Sequence, residues 1–230
     1  FKKACMNRVV IFANGVMQHS AQDDAALRAL LDADDVICCA DGGVAHALAI
    51  GLKPQVLIGD HDSIAPEVLT QLQSAGTEII THPKNKDKTD LHLAIDWAVA
   101  QGASEVMLVT ALGGHLDHLL ANVLLMTRSD YAYIHLTLVD VYQGQVQWAC
   151  VLHAHDAFEL HGAVGDGLSL IPLSPSVESV CLKGTQWPLK NHTLAQGDTT
   201  GISNVFTKTK VKIEIGEGEL LVIHTSGMTS

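Results

Sequence analysis

Several features that define common protein classes are missing from this chain of 230 residues. It has no apolar run of about 18 residues or more, the length that crosses a bilayer as a helix. It has no charged-then-apolar start of the kind that signal peptides have. Its five cysteines lack CxxC spacing, so they indicate neither a disulfide framework nor a zinc site. We therefore expect a cytoplasmic protein without a membrane partner.

Basic residues are also scarce. Fourteen lysines and arginines stand against 25 aspartates and glutamates, which gives a formal net charge of −11. This balance argues against a nucleic-acid partner, because binding to a phosphate backbone depends on positive charge. A smaller polyanionic ligand would need a local cation, and a divalent metal ion is the obvious one in an acidic site.

Common catalytic motifs are absent as well. The sequence contains no GxxxxGK(S/T), no strand leading into GxGxxG, and no GxSxG. These absences argue against a P-loop enzyme, a dinucleotide-dependent dehydrogenase and a typical serine hydrolase. Thirteen histidines are scattered without HExxH or similar spacing, and the cluster of interest is His115 and His118, on either side of Asp117. Phosphoryl-type transfer, which needs a metal ion and precise positioning of the substrates, remains compatible with the sequence.

The first part of the chain alternates between apolar, β-branched runs and segments with helical spacing. Strands are expected at 9–13, 36–40, 55–59, 78–81, 106–110 and 133–139, and helices at 23–31, 44–50, 66–74, 90–100 and 116–126. Such alternation is typical of βα units around a mostly parallel sheet. We predict a Rossmann-like α/β domain over residues 1–142.

The pattern changes after about residue 140. Helical periodicity disappears, and short alternating runs appear at 146–152, 157–160, 168–172, 177–182, 211–215 and 219–224. Glycine, proline, asparagine and aspartate separate these runs, as in antiparallel β domains. We predict a small antiparallel β-sandwich over residues 143–230.

Two aspartates, Asp60 and Asp62, follow the strand expected at 55–59. On an extended backbone they would share a face, while His61 would point away. Two carboxylates at the carboxyl end of a parallel strand suit Mg²⁺, which is usually held by one or two carboxylates together with substrate phosphates. A plainer alternative is that Asp62 and Ser63 cap the next helix.

The other predicted turns on this rim carry the same residue types. They contain Asn14-Gly15, Asp41-Gly42-Gly43, Asp87-Lys88-Thr89-Asp90 and Gly113-Gly114-His115-Leu116-Asp117-His118. Paired glycines let the backbone approach a phosphate, but an ordinary strand-to-helix turn needs them equally. Asp90 is either a third metal ligand or, with Thr89, part of a helix cap.

This ordered set of motifs resembles the thiamine pyrophosphokinase family. The resemblance runs through Ala40-Asp41-Gly42-Gly43, Ile58-Gly59-Asp60-His61-Asp62-Ser63, Lys86-Asp87-Lys88-Thr89-Asp90, Gly113-Gly114-His115-Leu116-Asp117-His118 and Gly201-Ile202-Ser203-Asn204. It implies transfer of the pyrophosphoryl group of ATP to the hydroxyl of thiamine, which leaves AMP. It also implies a nucleotide-binding α/β domain, a β-sandwich domain, and a homodimer with active sites near the subunit interface.

The resemblance further implies a role for particular residues. Asp60, Asp62 and Asp90 would hold Mg²⁺ and form the catalytic centre. On chemical grounds, an aspartate that the metal does not fully occupy, either Asp62 or Asp90, could accept the hydroxyl proton. The nucleotide site would comprise Asp41, Gly42, Asp87, Thr89, Gly113, Gly114, His115 and Asp117. Ser203 and Asn204 would help to bind thiamine from the second domain.

Two positions depart from the family pattern. His115 stands where the family often has arginine, and Lys86 stands where it often has glutamine. Histidine is largely neutral at pH 7, so a phosphate contact made by arginine would be weakened or moved, and Lys86 or Lys88 would compensate.

Some interpretations remain open from sequence. Trp148 and Trp187 could stack on a cationic thiazolium, or they could serve the core or an interface. A Mg²⁺-dependent phosphoesterase would use the same aspartates to activate water. A nucleotide-binding regulatory module would use the β-rich domain as an interaction surface.

Overall fold

The computed structural model describes residues 8–227. Within it the chain divides into two compact units, and the boundary falls between Gly144 and Gln145. The sequence places this boundary after residue 142. None of the helices within residues 8–227 is long and apolar enough to cross a membrane.

The first unit is a parallel α/β domain, as predicted. Its elements are β1 (Arg8–Phe12), α1 (Ala21–Arg28), β2 (Val36–Ala40), α2 (Val44–Ala49), β3 (Val56–Gly59), α3 (Pro66–Ser74), β4 (Glu78–Thr81), α4 (Asp90–Ala100), β5 (Glu105–Val109), α5 (Leu116–Leu125) and β6 (His135–Tyr142). The strand order is β6-β5-β1-β2-β3-β4, and every neighbouring pair is parallel. The carboxyl ends of the strands therefore share one edge of the sheet.

Burial explains why these segments form strands and helices. The central strands β1, β2 and β3 are almost wholly buried, which matches their continuous apolar sequences. Helix α4 buries Leu91, Ala94, Ile95 and Ala98, whose spacing of three and four residues gives one apolar face. The polar turns beyond the buried strands are left at the edge of the sheet, where the sequence predicts the functional residues.

The second unit consists of antiparallel strands, also as predicted. They are β7 (Gln145–Leu152), β8 (Ala157–His161), β9 (Gly167–Pro172), β10 (Ser176–Lys183), β11 (Leu189–Ala195), β12 (Asn204–Val205), β13 (Lys210–Glu214) and β14 (Leu220–Thr225). Within this unit the strand orders are β12-β9-β14-β7 and β11-β10-β13-β8. Leu168 and Leu170 from the first set and Val180, Leu182 and Ile213 from the second share one buried core.

Two strands of this unit, β11 and β12, carry no strand signal in the sequence. Strand β11 has mostly exposed side chains and lies at the end of its sheet, so it lacks the apolar alternation that marks a half-buried strand. Strand β12 is only two residues long. Both are positioned by their neighbours rather than by a pattern of their own.

Candidate functional site

Asp60 and Asp62 lie close together, but not for the reason that the sequence suggests. Strand β3 ends at Gly59, and His61 has a left-handed backbone with φ of 62°. The expected extended alternation is therefore wrong. Instead the chain turns, and Asp60 Oδ1 accepts a hydrogen bond from the backbone N–H of Asp62 at 3.3 Å. Turn geometry, rather than strand periodicity, brings the two carboxylates together.

Asp41 supplies a third carboxylate from a different loop. It begins the short 3₁₀ turn Asp41–Gly43 that follows β2. One ligand oxygen from each of Asp41, Asp60 and Asp62 lies within 4.8 Å of the others. Three carboxylate oxygens at this spacing fit a hard divalent cation, which prefers oxygen ligands. We call Asp41, Asp60 and Asp62 the acidic cluster.

Asp90 lies beside the acidic cluster but contacts it through a lysine. Lys86 Nζ is 3.1 Å from Asp90 Oδ1 and 3.4 Å from Asp60 Oδ2. Thr89 is the N-cap of α4, and its hydroxyl oxygen accepts a hydrogen bond from the backbone N–H of His92 at 3.2 Å. The structure thus gives Thr89 the capping role that the sequence left open, and it pairs Asp90 with an ammonium group.

Two lysines set the electrostatics of this edge. Hydrogen bonding by the backbone N–H of Asp62 lowers the pKa of Asp60; burial opposes this shift and Lys86 reinforces it. Lys84 contacts Asp62 Oδ2. Lys84 is an exposed loop residue, and nothing in the sequence distinguishes it from any other surface lysine. The ammonium groups of Lys86 and Lys84 therefore place positive charge beside Asp60 and Asp62, respectively.

The glycines after β2 are required by packing. A Cβ at Gly43 would lie 2.1 Å from the carbonyl oxygen of Phe12, and one at Gly42 would lie 2.6 Å from the side chain of Asn14. These contacts indicate that Gly42 and Gly43 are needed for the strand-to-helix turn rather than for the approach of a phosphate to the backbone. Gly113 and Gly114 differ, because both are exposed and have left-handed φ values of 82° and 78°.

The remaining residues predicted for the nucleotide site have few contacts within the protein. Asp87, His115 and Asp117 are exposed. Asp117 accepts a hydrogen bond from the backbone N–H of His118 at 2.9 Å. Lys88, one of the two suggested substitutes for arginine, instead forms an ion pair with Asp96 at 2.5 Å. Lys86 is therefore the better placed of the two lysines.

A chain of hydrogen bonds near the same edge was not foreseen from the sequence. His19 Nδ1 lies 2.8 Å from Asp24 Oδ1, and His19 Nε2 lies 3.0 Å from His46 Nδ1. His46 Nε2 lies 2.9 Å from the carbonyl oxygen of Gly15. Burial lowers the pKa of His46, which the bond to Gly15 only partly offsets. This chain holds the turn that follows β1 in place.

In the second unit, Asn204 fixes the position of Trp187. Asn204 is buried, and its side chain bonds to the backbone of Trp187. Its Oδ1 accepts a hydrogen bond from the backbone N–H of Trp187 at 3.1 Å, and its Nδ2 donates to the backbone carbonyl of Trp187 at 2.7 Å. The Trp187 side chain is itself exposed. Ser203 is exposed, with φ of 60°. Trp148 stacks on Phe158 against the core, which gives it a structural role.

Comparisons with known proteins agree with these two units. The family profile "Thiamin pyrophosphokinase, catalytic domain" matches residues 27–138, and "Thiamin pyrophosphokinase, vitamin B1 binding domain" matches residues 158–220. A thiamine pyrophosphokinase of Bacillus subtilis is 27% identical over 187 residues, which cover 81% of this chain and 85% of the relative. The crystal structure of thiamin pyrophosphokinase from Geobacillus thermodenitrificans is 30% identical, with a TM-score of 0.79, and covers 96% of this chain and 99% of that chain.

The parallel α/β unit with its acidic cluster, followed by an antiparallel β unit, fits a two-domain transferase of the kinase type. The matches to both domain profiles then identify the transferase family. The chain belongs to the thiamine pyrophosphokinase family.

Proposed function

We propose that the chain transfers the pyrophosphoryl group of ATP to the hydroxyl of thiamine and gives thiamine diphosphate and AMP. The observation that carries this proposal is the acidic cluster, whose ligand oxygens lie within 4.8 Å of one another at the carboxyl edge of the unit that matches the catalytic-domain profile. Mg²⁺ is the proposed metal, because it commonly bridges carboxylates and polyphosphates.

The chemistry requires positioning and neutralisation of charge more than a covalent protein intermediate. Asp60 and Asp62 would hold the metal ion, together with Asp41 from the turn after β2 and Asp90 from the start of α4. A bound divalent cation would supply positive charge to the polyphosphate. Asp62 and Asp90 are the two candidates for accepting the proton of the attacking hydroxyl.

The nucleotide and thiamine sites are assigned on the same basis. Exposed groups at the carboxyl edge are proposed to contact ATP: Asp87, Gly113, Gly114, His115 and Asp117. Asp41, Gly42 and Thr89 would shape that site through their turns. Ser203 is proposed to contact thiamine in the second unit, and Asn204 would act by holding Trp187. The match of residues 158–220 to a vitamin B1 binding domain supports this assignment.

We also propose a homodimer. Leu116, Leu120 and Leu124 lie four residues apart on α5, and all three are exposed. A stripe of exposed leucines on one helical face favours association with another protein surface. Light scattering of wild-type protein would test this, and a monomer at micromolar concentration would contradict it.

A coupled assay for AMP tests the proposed reaction. Purified protein is given ATP, Mg²⁺ and thiamine, and then the same mixture without thiamine. Thiamine-dependent AMP formation is the expected result. Phosphate release that is independent of thiamine would favour the phosphoesterase, and ATP binding without turnover would favour the regulatory module.

A further inference from the structure

Lys86 lies between two carboxylates that come from separate segments. Its Nζ contacts Asp90 Oδ1 at 3.1 Å and Asp60 Oδ2 at 3.4 Å, and its side chain is only 13% exposed. Two carboxylates at these distances hold the Lys86 ammonium at the edge of the acidic cluster.

The neighbouring lysines are placed differently. The Lys84 side chain is 80% exposed and contacts only the outer aspartate, Asp62. Lys88 pairs with Asp96, which lies outside the acidic cluster. Exposed ion pairs of this kind contribute little free energy. Of the three lysines, Lys86 alone is both largely buried and in contact with Asp60.

An ammonium in this place competes with a divalent cation. The Asp60 oxygen that contacts Lys86 belongs to a carboxylate of the acidic cluster. A second cation held by the same carboxylate group would be repelled by the ammonium. Phosphate oxygens relieve this conflict, because lysine binds phosphate well as a point charge. A nucleotide would thus give Lys86 a new partner and leave Asp60 free for the metal.

We propose that Lys86 is a positioning residue that makes metal binding depend on the nucleotide. Without nucleotide, its ammonium holds Asp60 and Asp90 and weakens divalent-cation binding. With nucleotide, the ammonium pairs with phosphate, and the cation binds together with the polyphosphate. This inference rests on the proposed function, since it assumes that the site takes a metal–nucleotide complex.

The test compares wild-type protein with K86Q, K86R and K88Q. Mn²⁺ is titrated into each nucleotide-free protein in a calorimeter, and KM for Mg²⁺–ATP is measured separately. We expect K86Q to bind Mn²⁺ at least about tenfold more tightly than wild type, while its KM for Mg²⁺–ATP rises at least about fivefold, in line with typical couplings between sites. K86R keeps the positive charge and K88Q alters a lysine outside the cluster, so both should bind Mn²⁺ as wild type does.

Opposite shifts in the two constants distinguish this role from a structural one, because local disruption would weaken both interactions. Mn²⁺ affinity in K86Q that is equal to or weaker than in wild type would overturn the inference.

If K86Q is partly unfolded, the rise in Tm caused by Mn²⁺ is measured instead of the calorimetric affinity, since a ligand stabilises the fold according to its affinity. A larger rise in K86Q supports the inference, and an equal or smaller one overturns it. Wild-type protein that makes no AMP would refute the proposed function while the Mn²⁺ comparison stays readable.

Discussion

The Ser63 hydroxyl donates a hydrogen bond of 2.6 Å to Asp41 Oδ2, and this bond joins the loop after β3 to the loop after β2. The other oxygen of Asp41 accepts a hydrogen bond from the backbone N–H of His61 at 3.1 Å. Both oxygens of Asp41 are thus oriented by the loop that carries Asp60 and Asp62. The acidic cluster is therefore shaped by hydrogen bonds between loops as well as by the strands.

Replacing Ser63 by alanine should lower activity by disturbing Asp41. Loss of a partner that orients a metal ligand typically costs about 10- to 100-fold in metal affinity or activity. We expect S63A to reduce thiamine-dependent AMP formation by about tenfold at limiting Mg²⁺ and by less at saturating Mg²⁺. Ser74, whose hydroxyl donates to the Thr70 carbonyl on α3, provides the matched control S74A. Equal activity of S63A and S74A would contradict the orienting role.

The two central aspartates should be essential for turnover. D60N and D62N each keep the size of the side chain but remove the charge that would bind a divalent cation. We expect each change to reduce AMP formation by at least about tenfold with the fold intact, because metal ligands contribute several kcal/mol to transition-state stabilisation. Circular dichroism checks the fold, and D34N, at an exposed aspartate, serves as the control. Near-normal turnover in D60N or D62N would refute the assigned role.

His61 should be replaceable by phenylalanine with a gain in stability. The residue is 9% exposed, and neither Nδ1 nor Nε2 has a hydrogen-bond partner among the described residues. Replacing an unpaired buried polar group by an apolar one of similar shape removes its desolvation cost, so we expect H61F to be about 1 kcal/mol more stable. Chemical denaturation measures this change.

The control for H61F is H155F. His155 also has a left-handed backbone, with φ of 69°, but its side chain is 74% exposed. It should gain nothing from the same substitution, because its ring is already solvated. A loss of stability in H61F larger than that in H155F would show that the imidazole of His61 makes polar interactions in solution.

Asp140 should make the fold less stable as the pH rises. Burial raises its pKa to about 6, and the nearby charge of Asp23 adds to the shift. The folded state binds this proton more tightly than the unfolded state, whose aspartate pKa is about 3.9. Stability contributed by the protonated form is thus present below about pH 4 and is lost as the pH rises through about 6.

D140N tests this dependence. We expect the variant to be about 1–2 kcal/mol more stable than wild type at pH 7.5, after allowing for partial solvent screening, and close to wild type near pH 4. Urea denaturation at both pH values measures the difference, with D34N as the control. A constant difference between D140N and wild type across this range would contradict the shifted pKa of Asp140.

Asn204 should affect thiamine binding more than turnover. N204A removes both side-chain hydrogen bonds to the backbone of Trp187, so the exposed tryptophan would lose its fixed position. We expect KM for thiamine to rise by about fivefold or more with a smaller change in kcat, because each lost hydrogen bond costs on the order of 1 kcal/mol. Q186A, at an exposed neighbour, is the control. An unchanged KM in N204A would remove Asn204 from the thiamine site.

Local signals were sufficient to predict much of the fold. The predicted bounds of α3 and α4 match the structure, since Pro66 begins α3 and Thr89 caps α4. The buried strands were also clear, because a continuous apolar run between turns has few alternatives. Strand β11 was missed because its mostly polar, exposed sequence pairs with a neighbour and carries no hydrophobic pattern.

The candidate site could be predicted only in part. Its aspartates stand directly after apolar runs, so their place at the sheet edge follows from the sequence. The expected extended geometry at Asp60 and Asp62 was wrong, because a left-handed His61 cannot be read from residue types alone. The sequence also gave no reason to group Asp41 rather than Asp90 with that pair.

The sequence by itself determined the alternation of elements, the change to a β-rich second part and the family to which the chain belongs, because these depend on local periodicity and on the order of motifs. Tertiary structure alone decided which charges meet. Side chains from separate loops, such as Lys86 and Asp60, come within 3.4 Å only after the strands pair. Contacts between distant segments depend on three-dimensional packing, and no local pattern of residues encodes that distance.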